Sequence, residues 1–212
     1  MHQSIYKIEK VIDEENKIIF LVNPKVASRS LINTMVWDNN YGFKGKIYRE
    51  NLNELSENFN LFEGFFIFSL FRDPLDRIIS CYKDKFFNPS EDDEKWILKS
   101  RGLKRNMSFK NFLEFLLSQN GSDEFADRHW ISQSKIFNLY GKNFYPHKIW
   151  LLDDLDKAMG YLFSKLNIFN KEIVHFNKTP DMNLHIPQEY IKQLKIRYED
   201  DFILYKKLKQ NI

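Results

Sequence analysis

The chain has 212 residues, 43% hydrophobic and 16% aromatic, which suits one domain with a sizeable core rather than a disordered or fibrous chain. Its 32 basic and 29 acidic side chains leave a formal charge of only +3, so nothing in the total points to a nucleic-acid partner, and local clustering carries the information. A single cysteine, Cys81, excludes an internal disulfide framework and a cysteine-based zinc cluster, and no stretch approaches the roughly 18 apolar residues of a membrane span.

Met1 to Asp13 carries no long apolar run and no small-residue cleavage site, so a soluble, cytoplasmic protein is expected. Lys17 to Val22 (KIIFLV) is a β-branched and aromatic run that predicts a buried strand. After the turn Asn23-Pro24-Lys25-Val26-Ala27, the spacing of Leu31, Ile32, Met35 and Val36 predicts a helix over Ser28 to Asp38. Leu52 to Phe59 reads as a short helix. Phe65 to Phe71 (FFIFSLF) is a second apolar strand, bounded by Gly64 and by Asp73-Pro74. Asp73 is a natural cap and Pro74 fits a first turn, so a helix follows with Leu75, Ile78, Ile79, Tyr82 and Phe86 on one face.

Asn88 to Ser108 is polar and charged and reads as an exposed excursion. Within it Glu91 to Arg105 holds Trp96, which suits either an acceptor-binding lid or a solvated loop with one apolar anchor. Helices are predicted over Phe109 to Leu117 and Asp127 to Leu139, a third strand over His147 to Leu152, and a helix over Leu155 to Leu166. Pro187 to Leu208 reads as one charged amphipathic helix or a pair. Trp37, Trp130 and Trp150 are expected in the core. Strands alternating with helices predict a parallel sheet covered on both faces.

In such sheets ligands bind beyond the carboxyl ends of the strands. Here both relevant strand ends carry a cation, Lys25 after the first and Arg72 after the second. At the first, the amides of Ser28 to Leu31 open a helix, where donors and dipole favour an anion. Lys25, Ser28 and Ser30 add a mobile charge and two hydroxyls. The competing reading is a helix capped by Ser28, with Lys25 and Arg29 in solvent. At the second, Arg72 can grip a phosphate with paired hydrogen bonds, with Ser80 two helical turns on. The competing reading is a surface ion pair of Arg72 with Asp73 or Asp76.

Taken together, these segments resemble the sulfotransferases that use 3′-phosphoadenosine 5′-phosphosulfate, especially the carbohydrate sulfotransferase branch. The stretch from Asn23 to Ser30 is similar to that family's 5′-phosphosulfate loop, and Arg72 to Phe86 to its 3′-phosphate segment. Asp127-Arg128-His129-Trp130-Ile131-Ser132-Gln133 resembles a third segment, with Ser132 where the family often has proline. His175 to Thr179 and Tyr198 to Tyr205 resemble its C-terminal pattern.

The resemblance implies a single domain over residues 1–212 with a P-loop, nucleotide-kinase-like α/β fold: a central parallel sheet flanked by helices in three layers. It implies 3′-phosphoadenosine 5′-phosphosulfate as donor co-substrate without a metal, and a carbohydrate or other hydroxyl-bearing acceptor. Lys25, Val26, Ala27, Ser28, Arg29 and Ser30 would hold the 5′ end of the donor, and Arg72 with Ser80 its 3′-phosphate.

Lys25 would also stabilise the leaving oxygen. His129 is the candidate base, against the alternative of a histidine packed structurally beside Trp130. Glu63, Glu124 and Asp127 are fallback bases, and Lys178 is either a residue that closes over the nucleotide or an ordinary surface lysine. Two other functions remain open at this point. A kinase-like phosphotransferase is one, although no GxxxxGK[ST] pattern occurs. The other is a non-catalytic nucleotide-binding module on the same fold.

Overall fold

A computed structural model of the chain describes residues 7–38, 42–51, 62–87, 101–139, 145–167 and 183–210. The expected helix at Leu52 to Phe59, most of the excursion with Trp96, and His2, His175 and Lys178 lie outside these residues.

Five strands form one sheet: β1 (Lys7–Asp13), β2 (Ile18–Leu21), β3 (Lys46–Asn51), β4 (Phe66–Phe71) and β5 (Lys148–Leu151), in the order β3-β1-β2-β4-β5. β2, β4 and β5 pair in parallel, with Phe20 opposite Phe68 and Phe71 opposite Leu151. β1 runs antiparallel to both β2 and β3, so it alone opposes the other four. The three apolar runs of the sequence thus become three adjacent parallel strands, as expected, with β5 at the edge of the sheet. β1 and β3 escape that reading because neither contains a continuous apolar run. Three charged residues of β1, Glu9, Lys10 and Asp13, are even buried, and Glu9 is held there by Arg49 and Arg128.

Alternation along β2 builds the layers. Ile19 and Leu21 face one core with α2 (Pro74–Tyr82), α3 (Phe109–Leu117) and α6 (Gln188–Arg197). Ile18 and Phe20 face the other, with α1 (Ser28–Ile32) and α5 (Leu155–Lys165). Phe20 and Phe68 stack across the strand pair with centroids 5.1 Å apart. At the sheet end, Phe71 and Leu151 meet Phe137 of α4 (Gln133–Leu139) and Leu204 of α7 (Glu199–Gln210).

Three expectations need correction. The helix begun at Ser28 widens at Asn33, where a π-helical stretch runs to Trp37, and Trp37 is 63% exposed rather than in the core. Trp130 is buried as expected. Asp127 to Leu139 is not one helix: residues 128–130 form a turn and the helix starts at Gln133. The end of the excursion is anchored by Leu103, which joins the core beside α2 and α3.

Candidate active site

The loop after β2 curls tightly without glycine. Lys25 and Ala27 both adopt left-handed backbone angles, φ 74° and 58°. Such angles cost a non-glycine residue about 1–2 kcal/mol, and strain of this kind collects where a backbone must wrap a ligand. Ala27 is the N-cap of α1 and offers no side-chain cap. Ser28 does not cap either: its hydroxyl donates back to the Asn23 carbonyl at 2.5 Å, bracing the loop from within. Leu31 N donates to Ala27 O, so the amides pointing out of the helix start are those before Leu31. Val26 is fully buried and pins the loop to the core, whereas Arg29 is exposed.

Lys25 is not solvated. Its side chain is 14% exposed and its ammonium meets Asp84 Oδ2 at 3.1 Å. The same oxygen takes Lys85 Nζ at 3.0 Å. Between the two lysines Asp84 is held down to about 2, despite its partial burial. Burial outweighs Asp84 at Lys25 and makes its proton easier to lose than an ordinary lysine's. Cys81, buried nearby, is pushed up to about 12 and stays a thiol.

Arg72 stands at the tip of the neighbouring strand. Its Nη1 donates to the Lys25 carbonyl at 3.2 Å, which joins the two strand ends directly. Arg72 is thus drawn into the loop rather than left at the surface, although the charge of Asp76 still acts on it. Asp73 instead caps α2 by accepting from Leu75 N and Asp76 N. Gln133 brackets the Arg72 backbone, accepting its N–H at 3.1 Å and donating to its carbonyl at 2.8 Å. The same Gln133 oxygen accepts from Asn23 Nδ2 at 3.0 Å. Asp201 of α7 caps Gln133 and Ser134, so the far end of the chain steadies both strand tips.

His129 sits in the turn before α4, buried, with its Nδ1 against Asp127 Oδ1 and its own amide donating to the same oxygen. That contact assigns the proton to Nδ1 and leaves Nε2 as the basic atom. Burial lowers the proton affinity of the ring and outweighs the opposing pull of Asp127. Asp127 is in turn kept ionised well below the usual carboxylate range by His129. Asp127 thus serves the histidine, and the other fallback carboxylates, Glu63 and Glu124, are exposed. His147 is engaged elsewhere, accepting from Ile67 N at 2.9 Å.

One side chain joins the loop to this turn. Arg77, 3% exposed, donates from Nε to Pro24 O at 3.1 Å, from Nη1 to Ile131 O at 2.7 Å and from Nη2 to Arg128 O at 3.0 Å. Ser132 also has a reason to differ from proline: its N–H donates to Asp123 Oδ1 at 2.9 Å, a bond proline lacks the donor to make. Ser30 and Ser80 are buried, and helical spacing sets Ser80 between Arg77 and Asp84 on the side of α2 that meets the loop.

Lys25, Arg72 and the loop are thus gathered at two adjacent strand tips, and Arg77 ties His129 to them. Sequence reasoning did not single out Arg77, Asp84, Lys85 or Gln133. For Arg77 and Asp84 the available signal was their place three residues before and four residues after Ser80, and Lys85 had only its position inside the Arg72 to Phe86 segment. For Gln133 the signal was only its place at the end of the Asp127 to Gln133 segment, and its role was hidden because its partners lie 61 and 110 positions away.

Among the described residues no group of three or more His, Cys, Asp or Glu side chains is arranged to hold a metal ion, and no helix is long and apolar enough to cross a membrane. The site can therefore hold an anion with lysine, arginine and amides, beside a neutral imidazole that can accept a proton. Searches of curated proteins and of solved structures returned no match. The family model described as "Sulfotransferase family" matches residues 9–207.

Proposed function

The chain belongs to the sulfotransferase family, and from that premise we propose that it transfers a sulfonate from 3′-phosphoadenosine 5′-phosphosulfate to a hydroxyl of a carbohydrate acceptor. The observation that supports this reading is the bond from Arg72 to the Lys25 carbonyl, which joins the two strand ends that carry the cations. A donor with phosphate at both ends of its ribose needs such a pair. Arg72 and Ser80 hold the 3′-phosphate; the loop from Lys25 to Ser30, Val26 and Ala27 included through their backbone, holds the 5′ end.

His129 Nε2 takes the proton of the acceptor hydroxyl as its oxygen attacks sulfur. The bond between sulfur and the bridging oxygen breaks, and its electron pair passes to that oxygen on the 5′-phosphate. Lys25 stabilises the charge that grows there, the part a metal ion plays in kinases. The products are a sulfate ester and adenosine 3′,5′-bisphosphate. Asp127 holds the histidine ring in the tautomer that leaves Nε2 open.

Thermal stabilisation tests the reading. At 100 times its dissociation constant, a ligand of the folded state adds about 2.7 kcal/mol. Adenosine 3′,5′-bisphosphate is expected to raise the melting temperature clearly, and ADP with magnesium to leave it unchanged. An equal or larger shift with ADP favours a phosphotransferase. A bisphosphate shift without transfer to any sugar, lipid or phenolic acceptor favours a non-catalytic module.

A further inference from the structure

The guanidinium of Arg77 is buried, yet all three of its nitrogens are spent on backbone carbonyls. Burial works against its charge, and Asp201 offsets this only through space. Taking such a group out of water is costly, and filling the gap between the loop and the turn would need no charge at all. What a guanidinium adds is a flat, rigid fork of donors that holds several acceptors in a fixed relation. Two of the carbonyls it holds are placed with consequence. Pro24 O belongs to the peptide that leads into Lys25, and Arg128 O to the peptide that leads into His129. The third, Ile131 O, lies on the far side of the same turn.

Each half of the site is also braced without Arg77. The loop keeps the bonds from Ser28 to the Asn23 carbonyl and from Arg72 to the Lys25 carbonyl, and the pairing of Lys25 with Asp84. The turn keeps the bonds of His129, Trp130 and Ile131 to Asp127, and that of Tyr198 to the Trp130 carbonyl. Removing the fork would therefore leave both shapes in place and loosen the spacing between them.

Resting on the sulfuryl-transfer reading above, we propose that Arg77 is a positioning residue that sets the separation of His129 from Lys25, and so the alignment of acceptor oxygen, sulfur and bridging oxygen. It touches neither donor nor acceptor and acts through the imidazole. Its own N–H donates to Asp73 O in the first turn of α2, so it moves with the helix that carries Ser80. The 3′-phosphate seat, the 5′ loop and the base thereby share one reference. Reacting atoms must approach to about 3–3.5 Å, and a misplacement of about 1 Å can cost about a hundredfold in rate. A spacer between the base and the leaving-group cation is therefore felt in turnover before it is felt in binding.

The test is a double-mutant cycle on the intact chain, read by transfer of labelled sulfonate from 3′-phosphoadenosine 5′-phosphosulfate to a panel of methyl glycosides. Arg77→Lys keeps the charge, but a single ammonium cannot span three carbonyls. It is expected to lower kcat about a hundredfold, while the affinity for adenosine 3′,5′-bisphosphate, by calorimetry, changes less than about threefold. In a His129→Ala background the same substitution should cost less than about threefold, because no imidazole is left to place. A merely structural role would cost the same factor in both backgrounds. Arg77→Gln, which keeps an amide donor toward the carbonyls, guards against misfolding of the first variant and should show the same pattern. Equal losses in both backgrounds, an unchanged kcat, or loss of bisphosphate binding in both variants overturns the role of Arg77 and leaves the family reading intact. A wild-type chain that transfers sulfonate to none of the glycosides overturns both.

Discussion

His129 shows how much one residue's setting matters. As a residue type it offers a proton affinity near neutrality. Its burial then lowers that affinity, with Asp127 opposing. A base must be neutral to work, and protonation below its folded pKa removes activity. The acid limb of the kcat/KM profile is therefore expected below the ordinary value of 6.5, and His129→Ala should lower kcat about a hundredfold or more while leaving bisphosphate affinity nearly unchanged. An acid limb above 6.5, or full turnover in the alanine variant, would remove His129 from the reaction. The candidate residue was legible in the chain because Asp127-Arg128-His129-Trp130 is a compact and distinctive run. Its state was not, since burial comes from segments far along the sequence. Lys25 repeats the point: a cation after a strand was visible, yet its pairing with Asp84 needed the loop and α2 to meet.

At the scale of elements, strand–loop–helix order was readable because each element carries its own period of apolar residues. The loop itself was readable only as a break. Its shape depends on left-handed angles at Lys25 and Ala27, which an ordinary composition of small and basic residues does not announce. Ala27 makes this testable without touching a charge. Replacing Ala27 by glycine relieves the steric cost of φ 58°, and urea denaturation should show a gain of up to about 1 kcal/mol. A loss of similar size would mean that the residue does not sit in the left-handed region. The turn at residues 128–130 was missed for the opposite reason. Trp130 and Ile131 run on into the apolar pattern of α4, but their carbonyl neighbours are claimed by Arg77 and Tyr198, which stops a helix from forming there.

At the scale of the whole molecule, the sheet is what brings the parts into register. β2 and β4 are parallel neighbours, so the residues that follow them, Lys25 and Arg72, emerge side by side. Phe20, fully buried and stacked on Phe68, sits at the centre of that pairing. Phe20→Ala is expected to cost about 3–5 kcal/mol of stability. It should weaken binding at both cation sites together, as read by urea unfolding and bisphosphate titration. Loss of stability with unchanged affinity would show that the strand tips are aligned by the loop contacts and not by the core beneath them.

What the chain determined by itself is the set of local choices: three apolar runs too short for helices, amphipathic faces, a capping Asp73, and cations placed just past strand ends. Those follow from contacts within a few residues and survive in any context that keeps the backbone buried. Tertiary structure decided the rest. The added strands β1 and β3, the Arg77 and Gln133 bridges, and the shared oxygen of Asp84 join residues that are not neighbours in sequence. Their partners are specified by the folding of the sheet, because a buried charge or amide is stable only where a distant segment supplies its counterpart.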